Sequence, residues 1–176
     1  MGCTLEKDLI DKTIDFHGHT CPGLAIGIRV SELAMQKIDM TGAKPVVCVV
    51  ETDMCGVDAI QFLTDCTFGK GNLIHRDFGK AGFTFFDRQE NKGFRAVYVK
   101  QKKNLDKNAY TKEIMDADLS ELFKIETITD PPVKPAKILK SIECSNCKEM
   151  TMESRIRMFD SKYLCIPCFM ENEQKI

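Results

Sequence analysis

The chain has 176 residues, a net charge of −1 and a pI near 6.3. That balance excludes an overall electrostatic drive toward nucleic acid or an acidic membrane surface. A hydrophobic share of 43% allows a buried core, and the length suits one ordinary domain plus a small module.

Nine cysteines are present, an odd count, and four of them form two Cys-x-x-Cys pairs. No N-terminal segment joins a basic start to a long apolar run, and no apolar stretch is long enough to span a bilayer. A cytoplasmic, reducing location is therefore expected. Cysteines there serve as ligands or nucleophiles more often than as disulfides.

In chain order, residues 5–15 read as a helix with Leu5, Leu9 and Ile14 on one side. Phe16 to Gly23 (Phe-His-Gly-His-Thr-Cys-Pro-Gly) follows and holds two of the three histidines. It lies between two apolar periodic segments, so it reads as a turn leading into a helix, with Pro22 in the first turn. His and Cys are the nitrogen and sulfur ligands that zinc prefers. Residues 22–38 read as the second helix. Gly23 and Gly27 on its first turns would let either a ligand or another backbone approach closely.

Pro45 to Glu51 is a β-branched run and reads as a buried strand, with Cys48 in the core. Residues 55–64 read as a helix, on which Asp58 and Gln61 share a face as capping and solvated groups. Cys66 to Asn72 is a second loop of chemical interest. Gly69 and Gly71 flank Lys70, which pairs a cation with freed backbone N–H groups and suits phosphate or carboxylate. The alternative is a flexible turn with a solvated lysine. His75 alone reads as structural.

Residues 81–87 and 94–101 read as an antiparallel hairpin across a turn at 88–93. Residues 111–124 read as a helix. Helices and strands in this order predict an α+β fold, a mixed helix/antiparallel-sheet core domain over 1–124. Pro131, Pro132 and Pro135 mark a semi-rigid linker over 125–137.

Beyond it, Cys144, Cys147, Cys165 and Cys168 form Cys-x₂-Cys-x₁₇-Cys-x₂-Cys, the spacing of a four-cysteine zinc site. Residues 138–176 therefore read as a small zinc ribbon. Such a segment is too small to fold on its own core, so the metal supplies the folding energy. Four thiolates leave no open position, and this zinc is expected to be structural. The ribbon carries six Lys/Arg and six Asp/Glu, which favours protein contact over nucleic acid.

For the core domain the candidate ligands are His17, His19, Cys21, Cys55 and Cys66. His19 and Cys21 are expected to anchor a second transition metal, zinc by ligand type, with His17 and Cys55 next. Cys55 could equally be a catalytic nucleophile, since a helix start lowers a thiol's pKa. Lys70 would act with it, and Lys70 and Lys80 would bind or polarise a small anionic substrate. His17, Gly69 and Gly71 complete the expected substrate site.

The blocks Phe16–Gly23, Cys55–Gln61, Asp65–Leu73 and Asp77–Lys80 together resemble the FmdE family, which takes its name from a component of formylmethanofuran dehydrogenase. The resemblance covers residues 1–124. It implies an α+β core, a homodimer, and a C-terminal zinc ribbon in some members. It also implies an accessory role beside formylmethanofuran dehydrogenase subunits or another molybdenum or tungsten enzyme of one-carbon metabolism. The family pattern has Gly where this chain has Asp65, and Tyr where it has Phe78. The chain is far too short to hold a molybdopterin catalytic subunit. The alternative reading is a regulatory or interaction protein that works through its ribbon.

Overall fold

The computed structural model describes residues 2–40, 45–101, 105–134 and 137–173. Pro135 of the expected linker and residues 174–176 of the ribbon lie outside them. The chain divides into two compact units, Met1–Lys134 and Pro135–Ile176. No helix among the described residues is long and apolar enough to cross a membrane.

The first unit is a mixed α/β core. Its helices are α1 (Lys7–His17), α2 (Pro22–Lys37), α3 (Gly56–Thr64), α4 (Lys107–Asp116) and the single turn α5 (Leu119–Leu122). Its strands are β1 (Val46–Val50), β2 (Leu73–His75), β3 (Gly82–Asp87), β4 (Lys92–Tyr98) and β5 (Phe123–Ile128), arranged as β2-β1-β3-β4-β5. β2 runs parallel to β1, and the other three pairings are antiparallel.

The sheet is wider than the hairpin expected from sequence. β2 is too short to show a period of its own, and β5 begins at the end of the expected last helix. The polar pattern of β5, Lys124 and Glu126 among exposed positions, hid an edge strand that faces solvent. The expected linker therefore starts inside the sheet. Further along, Arg76 and Arg88 donate to the carbonyls of Pro132 and Val133 at 2.8 and 2.9 Å, which ties that stretch to the first unit.

Helix α2 is the centre of the packing. Residues from Leu24 to Ala34 are buried apart from Ile26, which is half-buried. Val30, Leu33 and Ala34 pack with Val46, Cys48 and Val50 of β1 and with Phe83, Phe85, Phe94 and Ala96. Its opposite side packs Leu24 and Ile28 with Ala59 and Leu63 of α3 and with Leu9, Ile10 and Ile14 of α1. A helix buried on all sides must satisfy its charges internally. Arg29 donates to the carbonyls of Met115 and Ala117 at 2.8 and 2.7 Å and pairs with Glu32 at 3.3 Å. Glu32 in turn accepts from the backbone and hydroxyl of Thr4 at 2.8 and 2.7 Å.

The second unit pairs β6 (Ser141–Glu143) with β7 (Met150–Met152), and β8 (Ile156–Phe159) with β9 (Lys162–Cys165), before α6 (Ile166–Asn172). The β8–β9 turn has positive φ at both Asp160 (47°) and Ser161 (57°), the backbone twist that a two-residue hairpin needs. Apart from the metal ligands, its buried hydrophobic cluster contains Leu164, with Phe169 packed against it.

Candidate metal centres

The first centre is assembled by the ends of helices. Gly18, at φ 90°, closes α1 through an N–H bond to the Ile14 carbonyl at 2.7 Å. That left-handed turn reverses the chain directly after His17. Cys21 then caps α2: its Sγ accepts from the Leu24 N–H at 3.3 Å, with Pro22 in the first turn. Cys55 caps α3 from another part of the chain.

Glycines bring the two cysteines together. A Cβ on Gly27 would overlap the Gly56 carbonyl oxygen, and one on Gly56 would lie 2.8 Å from the Gly23 carbonyl oxygen. A Cβ on Gly23 would meet the Cys55 side chain at 3.2 Å. Backbone approach, one of the two uses open to Gly23 and Gly27 in the sequence, is the one realised. It places the start of α3 against the start of α2.

His17, His19, Cys21 and Cys55 consequently hold their ligand atoms within 4.8 Å of one another. His17 Nδ1 bonds Asp58 Oδ2 at 2.7 Å, and its Nε2 lies 4.0 Å from Cys21 Sγ. A carboxylate on one ring nitrogen that leaves the other facing a thiol is the arrangement that orients a metal-bound histidine. The rings of His17 and His19 lie 4.5 Å apart. Two imidazoles and two thiols are a zinc-type donor set, so these residues fit a metal ion.

A cavity of about 420 Å³ adjoins this cluster. His17, Cys55 and Asp58 line it on one side, with Thr52, Asp53, Gln61, Phe68 and His75 around it. Asp58 and Gln61 are not merely solvated: Asp58 orients His17, and Gln61 accepts from the Phe68 N–H at 3.1 Å. No sequence spacing signals the Asp58–His17 pair, because 41 residues separate them. Asp53 and His75 were likewise invisible as site residues until β1 and β2 paired.

The remaining expected site residues are placed elsewhere. Cys66 is fully buried in the main core, with its thiol 3.8 Å from the Val46 carbonyl, and is not in the cluster. Lys70 forms an ion pair with Asp65, and neither Lys70 nor Lys80 lines the cavity. The Gly69–Gly71 loop spends its N–H groups internally. Those of Thr67, Phe68, Lys70 and Gly71 bond Asn72, Gln61, Thr67 and Phe68 respectively. An anion cradle needs such groups free. The local pairing possibilities of Asp65, Thr67 and Asn72 make a closed turn instead.

The expected activation of Cys55 is also reversed. Burial raises its thiol, and hydrogen bonding to Cys21 raises it further. The helix-start effect is outweighed because a second thiol shares the same pocket.

The second centre brings Cys144, Cys147, Cys165 and Cys168 within the same 4.8 Å limit. The Cys165 N–H bonds Cys144 Sγ at 3.3 Å, which lowers that thiol to about 6. Asn146 Nδ2 donates to Cys168 Sγ at 3.4 Å. Positive φ at Lys148 (67°) lets the first pair turn back, and the second pair spans the end of β9 and the start of α6. Four converging thiols fit zinc as a closed tetrahedral site.

Fold and sites together define a metal-binding protein with an α/β core and a four-cysteine module. The chain belongs to the FmdE family: residues 16–130 match the family described as FmdE, Molybdenum formylmethanofuran dehydrogenase operon. It is 30% identical over 195 residues to an Archaeoglobus fulgidus protein described as "Probable S-adenosyl-L-methionine-binding protein". That match covers 91% of this chain and 52% of the relative, so the chain spans about half the relative's length. A crystal structure of an FmdE-like protein of tungsten formylmethanofuran dehydrogenase, from Syntrophus aciditrophicus, aligns with TM-score 0.75. The alignment covers 98% of both chains at 22% identity, a likeness of fold.

Proposed function

We propose that the first unit binds a transition metal, zinc by its donor set, and presents it to a small molecule held in the adjoining cavity. The second unit holds a structural zinc. The observation that carries this reading is the His17, His19, Cys21 and Cys55 cluster, oriented by Asp58 and bordered by a cavity of about 420 Å³. Family membership supports an accessory role beside formylmethanofuran dehydrogenase or another molybdenum- or tungsten-dependent enzyme, with the chain acting as a cytoplasmic homodimer.

The cavity chemistry favours a neutral or cationic ligand over the anion expected from sequence. Asp53 and Asp58 line it, and no Lys or Arg does so among the described residues. A divalent metal with two thiolates and two neutral imidazoles is formally uncharged, so those carboxylates set the sign of the field. S-adenosyl-L-methionine, which the Archaeoglobus relative is described as binding, carries a sulfonium cation and is the first ligand to try. Calorimetry should show it binding more tightly than S-adenosylhomocysteine, which lacks that charge; equal or absent binding removes this ligand from the proposal.

Elemental analysis of the full chain tests the metal reading. Two metals per chain are expected, with Asp58→Asn lowering core-metal affinity about 10–100-fold while the other metal stays. One metal per wild-type chain would end the proposal.

A further inference from the structure

Three of the four core ligands are held in place by the protein, and the fourth is not. His17 has 9% side-chain exposure and its Nδ1 is bonded to Asp58 at 2.7 Å. Cys21 is 4% exposed and accepts the Leu24 N–H. Cys55 is wedged against Gly23 at the start of α3. His19 differs from all three. It is exposed, it follows the left-handed Gly18, and its one contact with another side chain is the His17 ring at 4.5 Å. Neither of its ring nitrogens has a hydrogen-bond partner among the described residues. A metal-bound histidine normally donates its second N–H to an acceptor that fixes the ring and raises its basicity. Without that partner, the ring keeps its rotational freedom when it leaves the metal, and the bond is the weakest of the set.

We propose that His19 is an exchangeable ligand. Cys21, Cys55 and His17 retain the metal, and His19 gives up its position to an incoming small molecule bearing a nitrogen or sulfur donor. Two cysteines and one histidine with one open position match the composition of catalytic rather than structural zinc sites. Thiolate and imidazole surroundings favour soft or borderline donors in the open position, so thiols and imidazole-like nitrogens form the expected ligand class. The exchange is a substitution at the metal: one donor bond breaks at a His19 ring nitrogen and one forms to the incoming atom, with no change of oxidation state. The displaced ring is already exposed, so its departure leaves no buried polar group unsatisfied. This inference rests on the core metal site proposed above.

The test uses the full chain loaded with Co(II), whose visible absorption reports coordination. Wild type is compared with His19→Ala, His17→Ala and Cys21→Ser. The four-cysteine module is common to all, so difference spectra isolate the core site. His19→Ala is expected to keep two metals per chain with core affinity reduced by about 10-fold or less, against losses beyond about 100-fold for His17→Ala and Cys21→Ser. Imidazole should bind His19→Ala saturably and return its spectrum to that of wild type. 2-Mercaptoethanol should shift the core spectrum of wild type as well. Loss of the core metal from His19→Ala, with its circular dichroism unchanged, would make His19 an essential ligand and overturn the proposal. So would an unaltered spectrum in His19→Ala with no response to imidazole, since His19 would then not bind the metal. A wild-type chain with a single metal would instead reject the core site itself, before any variant is compared.

Discussion

The four-cysteine cluster takes its ligands from one short segment, 144–168, while the His/Cys cluster takes them from three helix ends spread over residues 17–55. Around the former, the buried apolar material is slight, Leu164 and the cysteines themselves with Phe169 alongside. Around the latter, α2 and α3 pack into a core that includes Phe83, Phe85 and Ile60. In the second unit, metal binding supplies the fold. In the first, the fold supplies the metal site, and it does so through glycine contacts that carry no metal chemistry of their own. The contrast shows why one protein can hold a closed structural ion and a partly open one without exchanging their roles.

The largest expected effect breaks the comparison outright. A strong chelator should unfold the second unit and leave the first folded, because structural zinc contributes on the order of 10 kcal/mol to a module of this kind. Amide hydrogen exchange resolved along the chain would show protection lost across 137–173 and kept in β1, β3 and β4. Equal loss in both units would mean that the core also depends on metal.

A smaller effect sharpens it from the other side. Gly27→Ala places a methyl group on the Gly56 carbonyl, so α3 must move away from α2. A destabilisation of about 1–3 kcal/mol is expected from overpacking, together with loss of the core metal as Cys55 leaves Cys21. Urea unfolding gives the first quantity and elemental analysis the second. Retention of both metals would show that helix approach is not what builds the site.

The smallest effect concerns the strand end that leads to Cys55. Arg95 donates to Glu51 through Nε and Nη2 at 2.7 and 2.8 Å and holds its carboxyl below the usual range. A depressed carboxyl stabilises the native state above its unfolded pKa, and that gain is lost as pH falls through the folded value. Arg95→Met should therefore be less stable than wild type by about 1 kcal/mol near neutral pH, the pair being partly exposed. The gap should close as the solution is acidified. A gap that stays constant with pH would assign the loss to packing of the Arg95 stem.

Much of this molecule was legible locally. The starts of α2 and α3, the β1 run and the β3–β4 hairpin follow from apolar period, Pro22 and β-branched residues, each a short-range property. The four-cysteine cluster was legible for the same reason, since its spacing alone forces convergence. β5 was not, because an edge strand with a solvated face has no apolar period to distinguish it from a linker. Lys70 misled: a lysine between glycines suggests an anion site, and only its pairing with Asp65 and the internal bonding of the loop show otherwise.

By itself, then, the sequence determined the family, the element types of the core and the ligands of the second centre, all carried by residues near one another in the chain. Tertiary structure decided which of five candidate ligands share the first centre. Cys66 was directed into the core and Cys55 into the cluster by the contact of Gly27 with Gly56. Asp58, Asp53 and His75 joined the site for a related reason: long-range packing sets which helix and strand ends meet, and no local pattern encodes that meeting.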